Sequence, residues 1–298
     1  MLVYSLSVIH WPSYNQSLVR RGEILFAYDF LDIWDDNLDR MNENKKGKPY
    51  SFPDSFIHII GYMRIYFHLP YRQTEGVIRA TGKNLPGHPS YSQICRRVNK
   101  LDIISNRLDD GNIIIAIDST GIKVTNRGQW MQEKWQVKKK GYLKIHIAVN
   151  IRTKEILSLE VTDEKTHDGK VMIKLIEHIL ENNKNNKIKL VLCDGSYDSN
   201  ENFKFLQKKR IRPAIKVRKN SVISLKNNSL RNREVHYQLK DLLKWKKKRK
   251  YGGRWIAETV FSSIKRTYGE YVSAIKYQNM IKEVMMKVSL YNLFRRNA

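Results

Sequence analysis

The sequence predicts an α/β protein, a mixed sheet with helices packed on it, preceded by a helical domain. Three observations carry that expectation. Over residues 11–101 apolar side chains recur at three- and four-residue spacing, as in Phe52-Pro-Asp-Ser-Phe-Ile-His-Ile-Ile-Gly-Tyr-Met-Arg-Ile-Tyr-Phe67, which is a helical period. After Asn106 the texture changes to short apolar runs, beginning with Ile113-Ile-Ile-Ala-Ile-Asp118, the pattern of a strand covered on both faces. Strand and helix patterns then alternate, as helices layered on a sheet require.

Residues 1–105 are therefore expected to form the helical domain and 106–298 the sheet domain. In the first, 71–81 and 90–101 read as two short helices separated by Gly82-Lys-Asn-Leu-Pro-Gly-His-Pro89, with Ser90 as cap and Arg96 and Arg97 on the surface of the second. The pair fits a helix-turn-helix whose second helix enters the DNA major groove. It fits equally an ordinary helical hairpin, because the loop is longer than the usual tight turn.

In the second domain, strands are expected at 113–118, 142–149 and 155–161, the last two joined by the polar Asn150-Ile-Arg-Thr-Lys154, so that consecutive strands run antiparallel. A helix over 168–182, a buried strand over 188–194, a helix over 201–209 and a strand over 214–217 follow. Residues 219–250 break the alternation with 11 Lys or Arg against two acids, Glu234 and Asp241. This segment reads as an inserted basic loop and short helix. Helices over 253–268 and 278–294 close the chain.

A chain of 298 residues with 41% hydrophobic content can bury one sizeable core and a smaller second one. Its 55 Lys and Arg against 29 Asp and Glu give a net charge of +26, more than solubility requires and suited to a polyanionic partner. No run approaches the roughly 18 apolar residues that span a bilayer, which favours nucleic acid over membrane. The opening 1–9 is apolar but has neither a basic leader nor a small-residue cleavage site, so a cytoplasmic, nucleoid-associated protein is expected. Cys95 and Cys193 are the only cysteines, and no zinc-type spacing or disulfide framework is present.

Asp118 and Asp194 each close an apolar run, and a carboxylate there is costly unless paired, hydrogen-bonded or bound to metal. On neighbouring strands the two would repel unless a cation lay between them, and a hard divalent ion such as magnesium suits all-oxygen ligands. Alternatively, each forms a local turn, in Asp118-Ser-Thr-Gly and Asp194-Gly-Ser. On the helix near Glu258, at about 100° per residue, Arg254, Lys265 and, if the helix extends that far back, Tyr251 fall in one stripe with the carboxylate, opposite Ile256, Val260 and Ile264. That stripe reads either as a metal ligand flanked by phosphate-binding cations or as a solvated face with an Arg254–Glu258 ion pair.

The spacing Tyr251-x-x-Arg254-x-x-x-Glu258-x-x-x-x-x-x-Lys265 resembles the Tyr-Arg-Glu-Lys signature of prokaryotic insertion-sequence transposases with an Asp-Asp-Glu triad. Ile117-Asp-Ser-Thr-Gly-Ile-Lys123 and Cys193-Asp-Gly-Ser-Tyr-Asp198 resemble that family's two aspartate motifs. Trp11-x-x-Tyr14-Asn, Leu18-Val-Arg-Arg-Gly22 and Leu69-Pro-Tyr-Arg-Gln-Thr-Glu-Gly76 resemble further segments of it. The resemblance implies a ribonuclease H-like fold, which periodicity alone leaves among several mixed sheets. It also implies that Asp118, Asp194 and Glu258 hold two magnesium ions, with manganese as an alternative, and that Tyr251, Arg254 and Lys265 grip phosphates of the element's ends. The implied activity is cleavage at those ends and strand transfer to target DNA, by a homodimer in the synaptic complex. Trp130, Trp135, Lys139 and Lys140 are expected either to contact distorted DNA or to anchor a long loop. A nuclease that cuts without joining and a non-catalytic DNA-binding repressor are the rival readings.

Overall fold

The computed structural model describes residues 10–27, 29–81, 85–103, 111–125, 141–182, 187–223 and 229–297. The chain divides into two compact units, Met1–Ile103 with Lys282–Ala298, and Ile104–Ile281.

In the first unit, helices α1 (Trp11–Leu25), α2 (Trp34–Asn42), α3 (Asp54–Tyr66), α4 (Tyr71–Thr81) and α5 (Tyr91–Val98) follow the expected helical period. Phe30 and Trp34 pack on Phe56 with ring centroids 5.0 and 5.3 Å apart, giving the unit an aromatic core. Ser90 caps α5 in a reciprocal capping box with Gln93, as its position before the apolar run led one to expect. The C-terminal residues were expected in the sheet domain; from Lys282 onward they group with the helices instead. The cause is close packing, since a Cβ at Gly61 would stand 2.9 Å from Met286 Cε, and Tyr62 and Ser289 hydroxyls meet at 2.7 Å.

The second unit is built on a six-stranded sheet of order β3-β2-β1-β4-β5: β1 (Asn112–Val124), β2 (Tyr142–Asn150), β3 (Ile156–Asp163), β4 (Lys187–Cys193) and β5 (Arg212–Ile215), with β6 (Tyr271–Val272) beside the far end of β1. Only β2 runs against its neighbours, and β1, β4 and β5 are parallel. This is the ribonuclease H-like order of a mixed sheet, with an antiparallel meander feeding parallel strands through helices α6 (Met172–Asn182) and α7 (Asn200–Lys208). Ile113, Ile115 and Ile117 of β1 and Val191 and Cys193 of β4 form a core with Met172, Leu175, Ile176 and Ile179 of α6.

Where a basic loop and one short helix were expected, the described part of the basic segment has two helices. It holds α8 (Leu230–Lys240) and α9 (Leu242–Lys248). Gln238 of α8 receives the Val217 amide at 3.0 Å and donates to the Ile215 carbonyl at 2.9 Å, so a side-chain amide pairs with the backbone just where β5 would otherwise present an open edge. Buried Glu234 accepts from Trp245 Nε1 at 2.7 Å and pairs with Arg249, which fastens α9 to α8. Helix α10 (Trp255–Tyr268) packs on β1 and β2, and α11 (Tyr277–Arg296) follows it.

Candidate active site

Strand β1 runs past Asp118 to Val124, because β2 pairs with it as far as Lys123. Its other edge pairs with β4 only up to Ala116 opposite Leu192, and with β6 from Lys123. Between these points no strand among the described residues covers that edge, and Asp118 lies in the gap. Counting on from Ala116 and Leu192 puts Asp118 level with Asp194, one residue beyond the end of β4. Asp194 thus stands just past the end of β4 and Asp118 just past the end of the β1–β4 pairing, at the kind of place where open α/β sheets bind ligands.

Helix α10 brings the third acid. Ile256, Val260 and Ile264 are buried, as are Ala257 and Phe261, so the opposite face carries Glu258 and Lys265 outward. Arg254 stands between two of the acids, with Nη1 3.4 Å from Asp118 Oδ2 and Nη2 paired with Glu258. Lys265 Nζ donates to Thr120 Oγ1 at 2.9 Å. A cleft of about 830 Å³ opens over these groups, lined by Asp118, Thr120, Glu258, Ser262, Lys265 and Arg266.

The helix, expected from about 253, begins at Trp255, and Tyr251–Arg254 ahead of it is a 3-10 turn that follows Lys250 in a left-handed conformation with φ 50°. The reason is proximity to the sheet, since a Cβ at Gly253 would lie 3.1 Å from Leu192 and 3.3 Å from Ile151. The tight turn still aims Tyr251 at the site, its hydroxyl donating to the Cys193 carbonyl at 3.1 Å.

Electrostatics follow from this crowding. Burial pushes the Asp118 carboxyl up; the Ser119 amide and Arg254 pull it down, and the like charges of Asp194 and Glu258 raise it again, for a net rise. Burial likewise raises the Tyr251 phenol to about 12, so it is a hydrogen-bond donor at neutral pH. Burial opposes the charge on Arg254, but Glu258, Tyr251 and Asp118 outweigh it and hold the guanidinium protonated.

Two descriptions that the sequence left as alternatives hold together here. Arg254 and Glu258 do form the i,i+4 pair, and Asp194 Oδ1 does accept from the Ser196 amide at 2.9 Å in a local turn. Neither consumes the site, because Glu258 still lines the cleft with Asp118 and Arg254 still reaches Asp118. Arg96 is exposed on α5, whereas Arg97 is turned into its own unit, bonded to Asp54 Oδ1 at 2.6 Å and the Phe52 carbonyl at 3.0 Å. Trp130, Trp135, Lys139 and Lys140 lie outside the described residues. Residues the motifs did not single out adjoin the site from the other face of the sheet: Asp168 pairs with Lys144 at 2.6 Å and accepts from Ser119 Oγ at 2.9 Å. Their one sequence signal was the polar turn Thr166-His-Asp-Gly169 ahead of a helix, which reads as a cap.

A family model described as "Transposase DDE domain" matches residues 109–293, and a second model of the same description matches 19–127. The chain belongs to the DDE-domain transposase family. Solved structures similar to this transposase include the piggyBac transposase synaptic complex with hairpin DNA, 11% identical over 94% of this chain and 75% of that one, with a TM-score of 0.42. The Drosophila P element transposase strand transfer complex is 13% identical over 89% and 69%, with a TM-score of 0.35. An intasome of simian T-cell lymphotropic virus with a PP2A B56 gamma subunit is 13% identical over 61% and 59%, with a TM-score of 0.27.

Transposases of this family work with divalent metal ions. Among the described residues of this transposase no three His, Cys, Asp or Glu side chains are gathered closely enough to hold one ion as they stand. The donor chemistry nevertheless fits. Asp118 and Glu258 are separated by one guanidinium, Asp194 adds like charge to Asp118, and a hard cation among three carboxylates would relieve the repulsion that Arg254 now offsets. No helix among the described residues is long and apolar enough to cross a membrane.

Proposed function

We propose that the chain is an insertion-sequence transposase of prokaryotic type, which cleaves DNA at its element's ends and joins them to target DNA. The observation that carries this reading is Arg254 held between Asp118 and Glu258 beside an open cleft that Lys265 and Arg266 also line, within the Tyr-Arg-Glu-Lys spacing. Asp118, Asp194 and Glu258 would hold two magnesium ions, or manganese. Bound there, such ions supply charge to the scissile phosphate and lower the pKa of the attacking hydroxyl. Arg254 and Lys265 bind phosphate oxygens, one as a planar fork and one as a point charge. Protonated Tyr251, tied to the Cys193 carbonyl, orients the end of β4 and with it Asp194. Water is the nucleophile for the nick, which frees a 3′-hydroxyl; in the joining step that hydroxyl loses its proton and attacks a target phosphate, breaking its bond to the target strand's 3′-oxygen, which leaves as a 3′-hydroxyl. A homodimer pairs the two ends.

Pre-cleaved ends carrying a 3′-hydroxyl test the reading directly. Joined products are expected with magnesium; cutting of uncleaved ends without joining would make the chain a nuclease, and binding alone a repressor.

The α8–α9 segment contributes to DNA affinity in this reading. Lys244, Lys247, Lys248 and Lys250 are exposed, while Arg249 serves the internal pair with Glu234. Replacing these four lysines with Ser, and sparing Arg249, should flatten the dependence of log affinity on log salt by ~0.9 for each phosphate no longer neutralised. An unchanged slope in filter-binding titrations would make the segment a solvated surface.

A further inference from the structure

Asp118 and Ser119 are neighbours on β1 and their side chains leave opposite faces of the sheet, Asp118 toward Arg254 and Ser119 toward the turn Asp168–Lys170. Ser119 also gives its backbone N–H to Asp118 Oδ1 at 2.9 Å. Asp168 Oδ1 receives Ser119 Oγ at 2.9 Å and Lys144 Nζ at 2.6 Å, and His146, paired with Ser119 across β1 and β2, stands 3.6 Å from the same oxygen. One end of the turn therefore grips the residue whose amide orients the first aspartate.

The other end of the turn touches the second aspartate's loop in the same way. A Cβ at Gly169 would lie 3.1 Å from the Ser196 carbonyl oxygen, so the two turns are in backbone contact. Asn202, 1% exposed, donates through Nδ2 to the Gly169 and Tyr197 carbonyls, each at 2.9 Å, and binds one turn to the other. Ser196 in turn gives its N–H at 2.9 Å and its hydroxyl at 2.5 Å to Asp194 Oδ1.

We propose that Asp168–Lys170 is a strut that sets the separation and aim of Asp118 and Asp194, with Asp168, Gly169 and Asn202 as positioning residues. A metal site tolerates little error in ligand spacing, and groups that orient ligands commonly matter 10–100-fold, to about that order, in affinity or rate. The proposal rests on the carboxylate reading given above.

The test uses the full chain and two readouts, Mn2+ binding by the protein alone, followed by electron paramagnetic resonance of the free ion, and cleavage of end DNA. Asp168→Asn and Gly169→Ala should each weaken Mn2+ binding and slow cleavage by about tenfold or more, with affinity for end DNA in calcium within twofold of wild type. Ser119→Ala should act in the same direction and Ser119→Thr, which keeps the hydroxyl, should recover most of the loss. Asp118→Asn and Glu258→Gln serve as controls and should remove Mn2+ binding. Controls that behave so while Asp168→Asn and Gly169→Ala keep wild-type Mn2+ affinity would overturn the strut alone. Controls that still bind Mn2+ normally would overturn the carboxylate reading, and the strut with it. Thermal melting accompanies each variant, and if Asp168→Asn fails to fold, Gly169→Ala and the Ser119 pair decide the matter.

Discussion

Glu258→Gln is expected to slow strand cleavage on the order of 10³-fold, about 4 kcal/mol of transition-state stabilisation, while affinity for end DNA stays the same or rises. The amide keeps the shape of the side chain and loses the charge that would hold a metal. Removing an anion from a cleft lined by Lys265 and Arg266 also makes that cleft more attractive to phosphate. Arg254→Ala and Lys265→Ala should act the other way, weakening end binding by about tenfold each, as expected when a charge-assisted hydrogen bond is removed. Arg254→Ala carries a second effect, because it leaves Asp118 and Glu258 without the cation between them. Cleavage is measured with magnesium and binding with calcium, at one salt concentration. Should Glu258→Gln cut within a few-fold of wild type, Glu258 is an ion-pair partner for Arg254 and nothing more.

The second large effect concerns stability. The Asp198 side chain is 0% exposed and takes Arg231 Nε at 2.7 Å and Nη2 at 2.9 Å, together with the Arg218 amide at 3.0 Å and the Ser221 hydroxyl at 3.3 Å. Asp198→Ala strands Arg231 and leaves two donors unmet, and should cost about 3 kcal/mol, lowering the melting temperature by roughly 6–12 °C for a unit of this size. A variant melting within a degree of wild type would show that Arg231 finds solvent at no cost. Burial raises the Asp198 carboxyl, but Arg231 and the Arg218 amide outweigh it and hold it below the usual carboxylate range. Its contribution is therefore fully present above the unfolded-state value near ~3.9 and is lost as pH falls through the lower folded-state value. Chemical denaturation of wild type and Asp198→Asn should converge in that acid window and diverge at neutral pH.

How much of this was visible beforehand depended on range along the chain. The apolar runs of β1, β2 and β4 marked their strands, and Ile256, Val260 and Ile264 marked the buried face of α10, because each pattern lies within a few residues. The extension of β1 through Ser119, Thr120 and Gly121 was hidden, since those residues are polar or small and their pairing is supplied by β2. The two-residue β6 is too short to have a period. Gly253 explains why the helix starts late, but only the nearness of Leu192 and Ile151 gives that glycine its meaning. The carboxylate trio came from a spacing signature together with two strand-end acids. The Asp168, Lys144, Ser119 and Asn202 contacts join four separate elements, and no linear pattern records them.

The gap on the β4 edge of β1 has a consequence for the order in which the protein is made. Residues 112–116 find their β4 partner about 75 positions later, but Lys123 and Val124 wait for Tyr271 and Val272. A ribosome adding about 5–20 residues per second needs roughly 7–30 s to cover that interval, and non-local pairing is slow to form in any case. In the part of that interval between residues 194 and 254, the emerging chain carries both aspartates and lacks Arg254 and Glu258. Whatever reactivity the finished site has, it is acquired only when α10 has emerged, after the basic α8–α9 segment has already been released.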